Sequence, residues 1–268
     1  MRNIDIFSWE PEADKDVFFH RDKFRNKKVH HMYMDTELNY QTIRDSFPKH
    51  LQELYDTPIE YKWNNDTFRD YREFSESNDG HIAIGDSFTE GEGVPHNLLW
   101  HRHLEKFLGE PIYNLGMCGT GFDEWFLVLL RYMHKFKGDK IFMLTHSYSR
   151  FNFPGKEYYM NPVHVADLKK IWYEWFVNDN YILYNYQIKL LAIKQLAQSR
   201  NKQLYFININ EILQDENTIP NNHKHLNFPT WFYDEHKGET KWDFARDGKH
   251  LGPDFHEEVF QRFAKFFK

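Results

Sequence analysis

The rhythm of hydrophobic and polar positions changes near residue 80. Before that point charged and aromatic residues are mixed, and no glycine occurs ahead of Gly80. Residues 36–56 (TELNYQTIRDSFPKHLQELYD) carry apolar side chains at helical spacing, interrupted by Pro48. The next segment, IEYKWNNDTFRDYREF, alternates enough to predict a short strand or an extended arm. We read residues 1–76 as an N-terminal extension packed on a main domain of residues 77–268.

From residue 81 the pattern becomes strand, loop and helix, repeated. HIAIG predicts a short apolar strand, and residues 96–108 predict a helix closed by Gly109 and followed by Pro111. PIYNLG predicts a second strand. Residues 122–136 place Phe122, Trp125, Phe126, Leu129, Leu130, Met133 and Phe136 on one helical stripe. KIFML and LYFINI predict two further strands, separated by a long helical stretch over about 165–199 with a break near Asn178-Asp179-Asn180. A loop rich in Asn, His and Trp follows over about 210–249. The last helix opens with Pro253 in its first turn and carries Phe255, Val259, Phe263 and Phe266. Strands alternating with helices predict an α/β fold: a parallel sheet covered on both faces, with functional groups in the loops after the strands' carboxyl ends.

Composition narrows the picture. With 268 residues, 41% hydrophobic and 28% charged, the chain is globular and long enough to bury a full core. Its 25 Phe, 16 Tyr and 8 Trp suggest a core built from rings, or aromatic surface for a ligand. A net charge of −6 with no basic footprint excludes the nucleic-acid-binding class. Cys118 is the only cysteine, so no intrachain disulfide forms. MRNIDIFSWEPEADKD lacks the apolar stretch of a secretory signal, and the longest apolar run, Trp125 to Leu130, is too short to span a bilayer. The expectation is a soluble, cytoplasmic protein with no membrane insertion.

The candidate chemistry starts in HIAIGDSFTEGEGV, where Gly85-Asp86-Ser87 sits at the mouth of the first strand. A phosphate cradle fails on spacing, since no G-x-x-x-x-G-K-[ST] occurs and no dinucleotide fingerprint is complete. The G-x-S-x-G elbow is also absent, with Thr89 in the last glycine position. A plain turn would explain the triplet by itself. A serine hydroxyl becomes a nucleophile only when a histidine takes its proton and a carboxylate orients that histidine. DFARDGKHLGPDFHEEVF offers such a pair, Asp247 and His250, just before the terminal helix. YNLGMCGTGFDEW supplies Gly116, Gly119 and Gly121, which either make a tight turn or let a backbone amide approach an oxyanion.

Taken together and in this order, the three segments resemble the SGNH, or GDSL-type, hydrolase superfamily over roughly residues 80–268. The resemblance implies a three-layer, flavodoxin-like parallel sheet. Gly85-Asp86-Ser87-Phe88-Thr89 looks like the first family block, with Ser87 as nucleophile. Asn114 and Gly119 match an Asn-x-x-x-x-Gly pattern that ends on the oxyanion glycine, and Asp247-x-x-His250 matches the last block. NNDTFRD looks like a lead-in that some members carry before the first strand. One departure stands out. Members usually show Gly-x-Asn-Asp after the third strand, and here Thr145, His146 and Ser147 occupy that place, with no asparagine before Asn152. Losing one oxyanion donor costs on the order of 3 kcal/mol in comparable sites. Either Ser147 or His146 substitutes, or two backbone donors suffice, or the activity is impaired. Asp86, Arg150 and Asn152 are the candidate substrate-binding residues, although an ion pair would also explain Arg150.

The resemblance implies acyl transfer through an acyl-serine, with the Ser87 and Gly119 amides as oxyanion donors and no metal or organic cofactor. The expected substrate is a short acyl ester of a carbohydrate or small alcohol. An O-acyltransferase with the same residues, and a non-catalytic binding protein on a degenerate scaffold, remain open at this point. The other histidines read as structural or exposed rather than metal ligands: His30-His31, His101 and His103 on different helix faces, and His223 and His225 in a loop. Trp231, Phe232, Tyr233 and Trp242 either stack on a sugar or pack that long loop.

Overall fold

Alternating side chains of one buried strand feed two separate cores. In His81–Gly85 (HIAIG), Ile82 and Ile84 enter one apolar cluster while Ala83 enters another. The computed structural model describes residues 19–145, 153–154, 159–160, 179–209 and 242–268. Its strands in chain order are β1 Lys28–Val29, β2 Tyr61–Lys62, β3 His81–Gly85, β4 Ile112–Asn114, β5 Lys140–Thr145, β6 Phe153–Pro154, β7 Tyr159–Met160 and β8 Gln203–Asn208. β3, β4, β5 and β8 form one parallel sheet in the order β4-β3-β5-β8, with Ile82 opposite Ile141 and Ile141 opposite Leu204. β1 with β2, and β6 with β7, are short antiparallel pairs. Counting only the parallel strands, the order is 2-1-3-4, the order of a flavodoxin-like sheet.

Two helical layers cover this sheet. Ile141 and Met143 face the helices Phe122–Tyr132 and Asp179–Ser199, while Phe142 and Leu144 face Trp100–Leu108 and the terminal helix Pro253–Ala264. Every strand residue of β3 is buried, as a sheet covered on both sides requires. The expected three-layer α/β architecture is therefore present. Among the described residues no helix is long and apolar enough to cross a membrane.

Several element boundaries differ from the periodicity. The expected helix over 96–108 divides into a 3₁₀ turn, His96–Leu98, and a helix, Trp100–Leu108, with Leu99 extended between them. The division sends Leu99 into a small cluster with Val94 and Ala245 while Trp100 and Leu104 pack toward the sheet. The helix expected over 122–136 becomes 3₁₀ at Met133–Lys135. The terminal helix stops at Ala264, so Phe266 leaves the buried stripe and is exposed. Residues 165–178 of the long helical stretch lie outside the described residues, and the described helix runs unbroken from Asp179.

In the N-terminal segment Pro48 starts a helix rather than merely interrupting one: Thr36 caps Glu37–Ile43, and Pro48 precedes Lys49–Tyr55. Tyr40, Phe47, Leu51, Tyr55, Tyr61 and Trp63 form a third cluster, against which Cys118 and Phe244 pack. Among the described residues, the arm expected after residue 59 pairs as a strand at Tyr61–Lys62 alone, with β1.

The ring-rich core yields a direct test. Phe142 is fully buried and touches Tyr205, Phe263 and Phe267. Phe142→Ala is expected to destabilise the fold by about 3–5 kcal/mol. Urea unfolding should show a lowered midpoint with an unchanged slope, and an unaltered midpoint would contradict this packing.

Candidate active site

Three loops meet beyond the carboxyl ends of the sheet. β3 runs directly into the four-residue helix Ser87–Glu90, whose N-cap Asp86 accepts a hydrogen bond from the Phe88 amide at 3.1 Å. Across the cleft, residues 245–250 form a tight turn before the terminal helix, with Gly248 at φ 64. In that turn Asp247 Oδ1 accepts from the amides of Lys249 at 2.9 Å and His250 at 3.0 Å. Asp247 Oδ2 lies 2.6 Å from His250 Nδ1, and His250 Nε2 lies 2.9 Å from Ser87 Oγ. One imidazole thus bridges a hydroxyl and a carboxylate. The edge of the ring meets Phe88 in a T-shaped contact at 5.2 Å.

Burial and charge act in opposite directions here. Burial pushes the Asp247 carboxyl up, but the His250 charge and the amide donors outweigh it and hold the carboxyl below its ordinary value. Burial pulls the His250 imidazole down, yet Asp247 and Glu92 together raise it to about 9. Asp247 is therefore ionised at neutral pH, and His250 favours its cation.

The loop after β4 passes close over the serine turn. A side chain at Gly116 would place its Cβ 2.5 Å from the Glu90 amide nitrogen, so only glycine fits this approach. Asn114 pins the loop: its side chain donates to the Arg69 carbonyl at 3.0 Å and accepts from the Gly116 amide at 2.9 Å. Gly119 lies in the left-handed region at φ 75, with open space where a Cβ would stand. Neither the Ser87 nor the Gly119 amide donates to another described residue. Asp86 is fully buried as a helix cap, and His146, Ser147, Arg150 and Asn152 lie outside the described residues. So do His223, His225, Trp231, Phe232 and Tyr233.

The sequence reading missed two acidic residues of the glycine-spaced loop. Glu90 and Glu92 are both buried. Glu90 forms a buried ion pair with Arg21 at 2.7 Å, accepts from Trp63 Nε1 at 2.9 Å and also accepts from the Cys118 amide. It ties the N-terminal segment, the serine turn and the Gly119 loop together. Burial alone would raise its carboxyl, and Arg21 reverses the sign. The Asp247 turn is held in a similar way. Arg246 donates its amide to the Gly93 carbonyl at 2.8 Å, and its guanidinium pairs with buried Asp35 at 2.7 Å. Tyr61 joins the two sides by donating to Asp35 and accepting from the Gly93 amide. The only signal in the sequence was an acidic pair among glycines, and nothing there named its partners.

Glu92, Asp247 and His250 offer ligand atoms within 4.8 Å of one another, the spacing of a metal site. A cation at His250 Nε2 would have to displace the Ser87 hydroxyl, and Nδ1 is already engaged by Asp247. The hydrogen-bonded arrangement accounts for all of these groups except Glu92.

The parallel 2-1-3-4 sheet, with Ser87 directly after its first strand, defines a flavodoxin-like, three-layer α/β fold. No family model and no curated protein matches the chain. Among solved structures, the chain is similar to a member of the lipolytic G-D-S-L family from Veillonella parvula, at 13% identity and a TM-score of 0.39 over 71% of this chain and 98% of that one. A family 3 carbohydrate esterase from Clostridium thermocellum is 16% identical, with a TM-score of 0.33 over 70% and 94%. A catalytic mutant of an acetylxylan esterase from Geobacillus stearothermophilus is 11% identical, with a TM-score of 0.34 over 72% and 95%. At these scores the fold assignment rests on the strand order rather than on the matches.

The Glu90–Arg21 brace predicts a stability effect. Glu90→Ala leaves the Arg21 guanidinium, 1% exposed, without its carboxylate. Breaking such a pair is expected to cost about 3–5 kcal/mol. Chemical denaturation of the variant should show it, and a loss below about 1 kcal/mol, the range of an exposed pair, would mean the pair is not a brace.

Proposed function

We propose that this protein is a serine esterase that cleaves a short acyl ester of a carbohydrate or small alcohol through an acyl-serine intermediate. The observation that carries the proposal is the His250 imidazole, 2.9 Å from Ser87 Oγ and 2.6 Å from Asp247 Oδ2. Nucleophile, base and orienting acid need this geometry, and it comes from segments 163 residues apart.

In the first step neutral His250 takes the Ser87 proton at Nε2 as Oγ bonds to the ester carbonyl carbon. The carbonyl electron pair moves onto oxygen, and the amides of Ser87 and Gly119 donate to it. The tetrahedral species collapses, the carbon–oxygen bond to the alcohol breaks, and His250 returns its proton to the departing oxygen. Water then attacks the acyl-serine, giving its proton to His250; the second collapse breaks the bond between the acyl carbon and Oγ, His250 returns the proton to Oγ, and the acid leaves. Asp247 stays ionised throughout, keeps the Nδ1 proton facing it and stabilises the imidazolium. The preference for a small, sugar-borne ester is supported by Trp231, Phe232 and Tyr233, consecutive rings in the sequence shortly before the Asp247 turn that suit stacking on a sugar. Acetylated sugars set against long-chain esters test it, and a clear preference for long chains would refute it.

Two results are expected with p-nitrophenyl acetate. Ser87→Ala should lower kcat by at least about 10³-fold, and equal rates would remove Ser87 from the mechanism. The base works only as neutral imidazole, so kcat/KM should rise with pH through about 9. A profile already flat by pH 7 would show that His250 is not held as its cation.

A further inference from the structure

Glu92 is a second carboxylate at the same imidazole, and the steps above give it no part. Its Oε2 lies 3.8 Å from His250 Nε2, whereas Asp247 takes the other ring nitrogen at 2.6 Å. That separation is too long for a hydrogen bond and well within the range of a strong charge interaction at a buried site. Glu92 is 4% exposed, and among the described residues few donors reach it. The Met34 amide donates to Oε1 at 2.7 Å, while among the described residues the one hydrogen bond to Oε2 is from the Cys118 thiol at 3.5 Å. A buried carboxylate with so little hydrogen bonding is costly, and burial pushes the Glu92 carboxyl up to about 7 against the pull of His250.

The backbone that serves Glu92 carries a cost of its own. Met32 and Asp35 exchange backbone hydrogen bonds of 3.1 and 2.8 Å around a two-residue turn, which holds Tyr33 at φ 47, in the left-handed region. Non-glycine residues adopt that region at a cost, and such strain collects at functional sites. The next residue in this turn delivers the amide that fixes Glu92.

On the esterase reading given above, we propose that Glu92 is a positioning residue that sets the charge of His250. Its carboxylate favours imidazolium over imidazole and so determines the pH at which Ser87 can lose its proton. Buried His256, which the His250 charge also reaches, is held neutral by burial. Asp247 shares the His250 turn, and Asp86 faces the His250 ring from the serine turn. Glu90 is neutralised by Arg21, and Arg246 by Asp35 and Glu37. The Cys118 thiol is raised by burial and stays uncharged. Asp86 caps the Ser87 helix, so among the described residues Glu92 is the acidic group that can be neutralised without dismantling either the serine turn or the His250–Asp247 turn.

The test is an NMR titration of the His250 Cε1–H resonance, identified by its loss in His250→Gln, run beside pH profiles of kcat/KM. Glu92→Gln should lower the His250 midpoint by about one pH unit, and the acidic limb of kcat/KM should move with it. Glu92→Asp, which keeps the charge but withdraws it by one methylene, should give a smaller downward shift. It also serves as the test if the Gln variant does not fold. An unmoved midpoint in a folded variant overturns the proposal. Failure of the esterase reading is separable: an imidazole midpoint that shifts while the wild type hydrolyses no ester at any pH would refute the hydrolytic role and leave the Glu92–His250 coupling intact.

Discussion

A single imidazole touches two parts of the chain that are otherwise remote. His250 belongs to the turn before the terminal helix, and Ser87 belongs to the turn after β3. Hydrogen bonds of 2.9 and 2.6 Å tolerate little drift, so both turns must be held to within a fraction of an ångström. A side-chain contact alone could not do this. The Arg246 amide to the Gly93 carbonyl joins the turns through backbone, and Tyr61 adds a second link between Gly93 and Asp35, the partner of Arg246.

That frame gives the N-terminal segment a physical role. Arg21, Asp35, Tyr61, Trp63 and Arg69 all reach the loops that carry the site. The segment encloses polar groups of Glu90, Glu92 and Arg246 that would otherwise face water, and it supplies their partners. Buried pairs of this kind contribute little net stability compared with apolar packing, but they penalise any arrangement that separates them. They hold the loops in one register while the sheet supplies the bulk of the apolar burial.

Much of the sheet was legible in the sequence because parallel strands buried on both faces leave uninterrupted apolar runs, as in HIAIG and KIFML. The terminal helix was legible from Pro253 and the spacing of Phe255, Val259 and Phe263. Its end was not, because the change to 3₁₀ winding that exposes Phe266 leaves the local pattern unchanged. The break at Leu99 was equally hidden, since the extended Leu99 packs with Ala245, far along the chain. Ser87, Asp247 and His250 could be proposed from short motifs, and the structure brings these side chains together. Glu90 and Glu92 could not be read as they stand, because the contacts that matter, with Arg21, Met34 and His250, are long-range and leave no periodicity.

The central claim is that His250, held by Asp247, activates the Ser87 hydroxyl. Treatment with a fluorophosphonate, followed by peptide mapping, addresses it most directly. The account predicts one covalent adduct, on Ser87, formed rapidly in the intact protein and lost in a folded His250→Ala variant. No adduct, an adduct on another residue, or labelling of Ser87 at the same rate without His250 would contradict it.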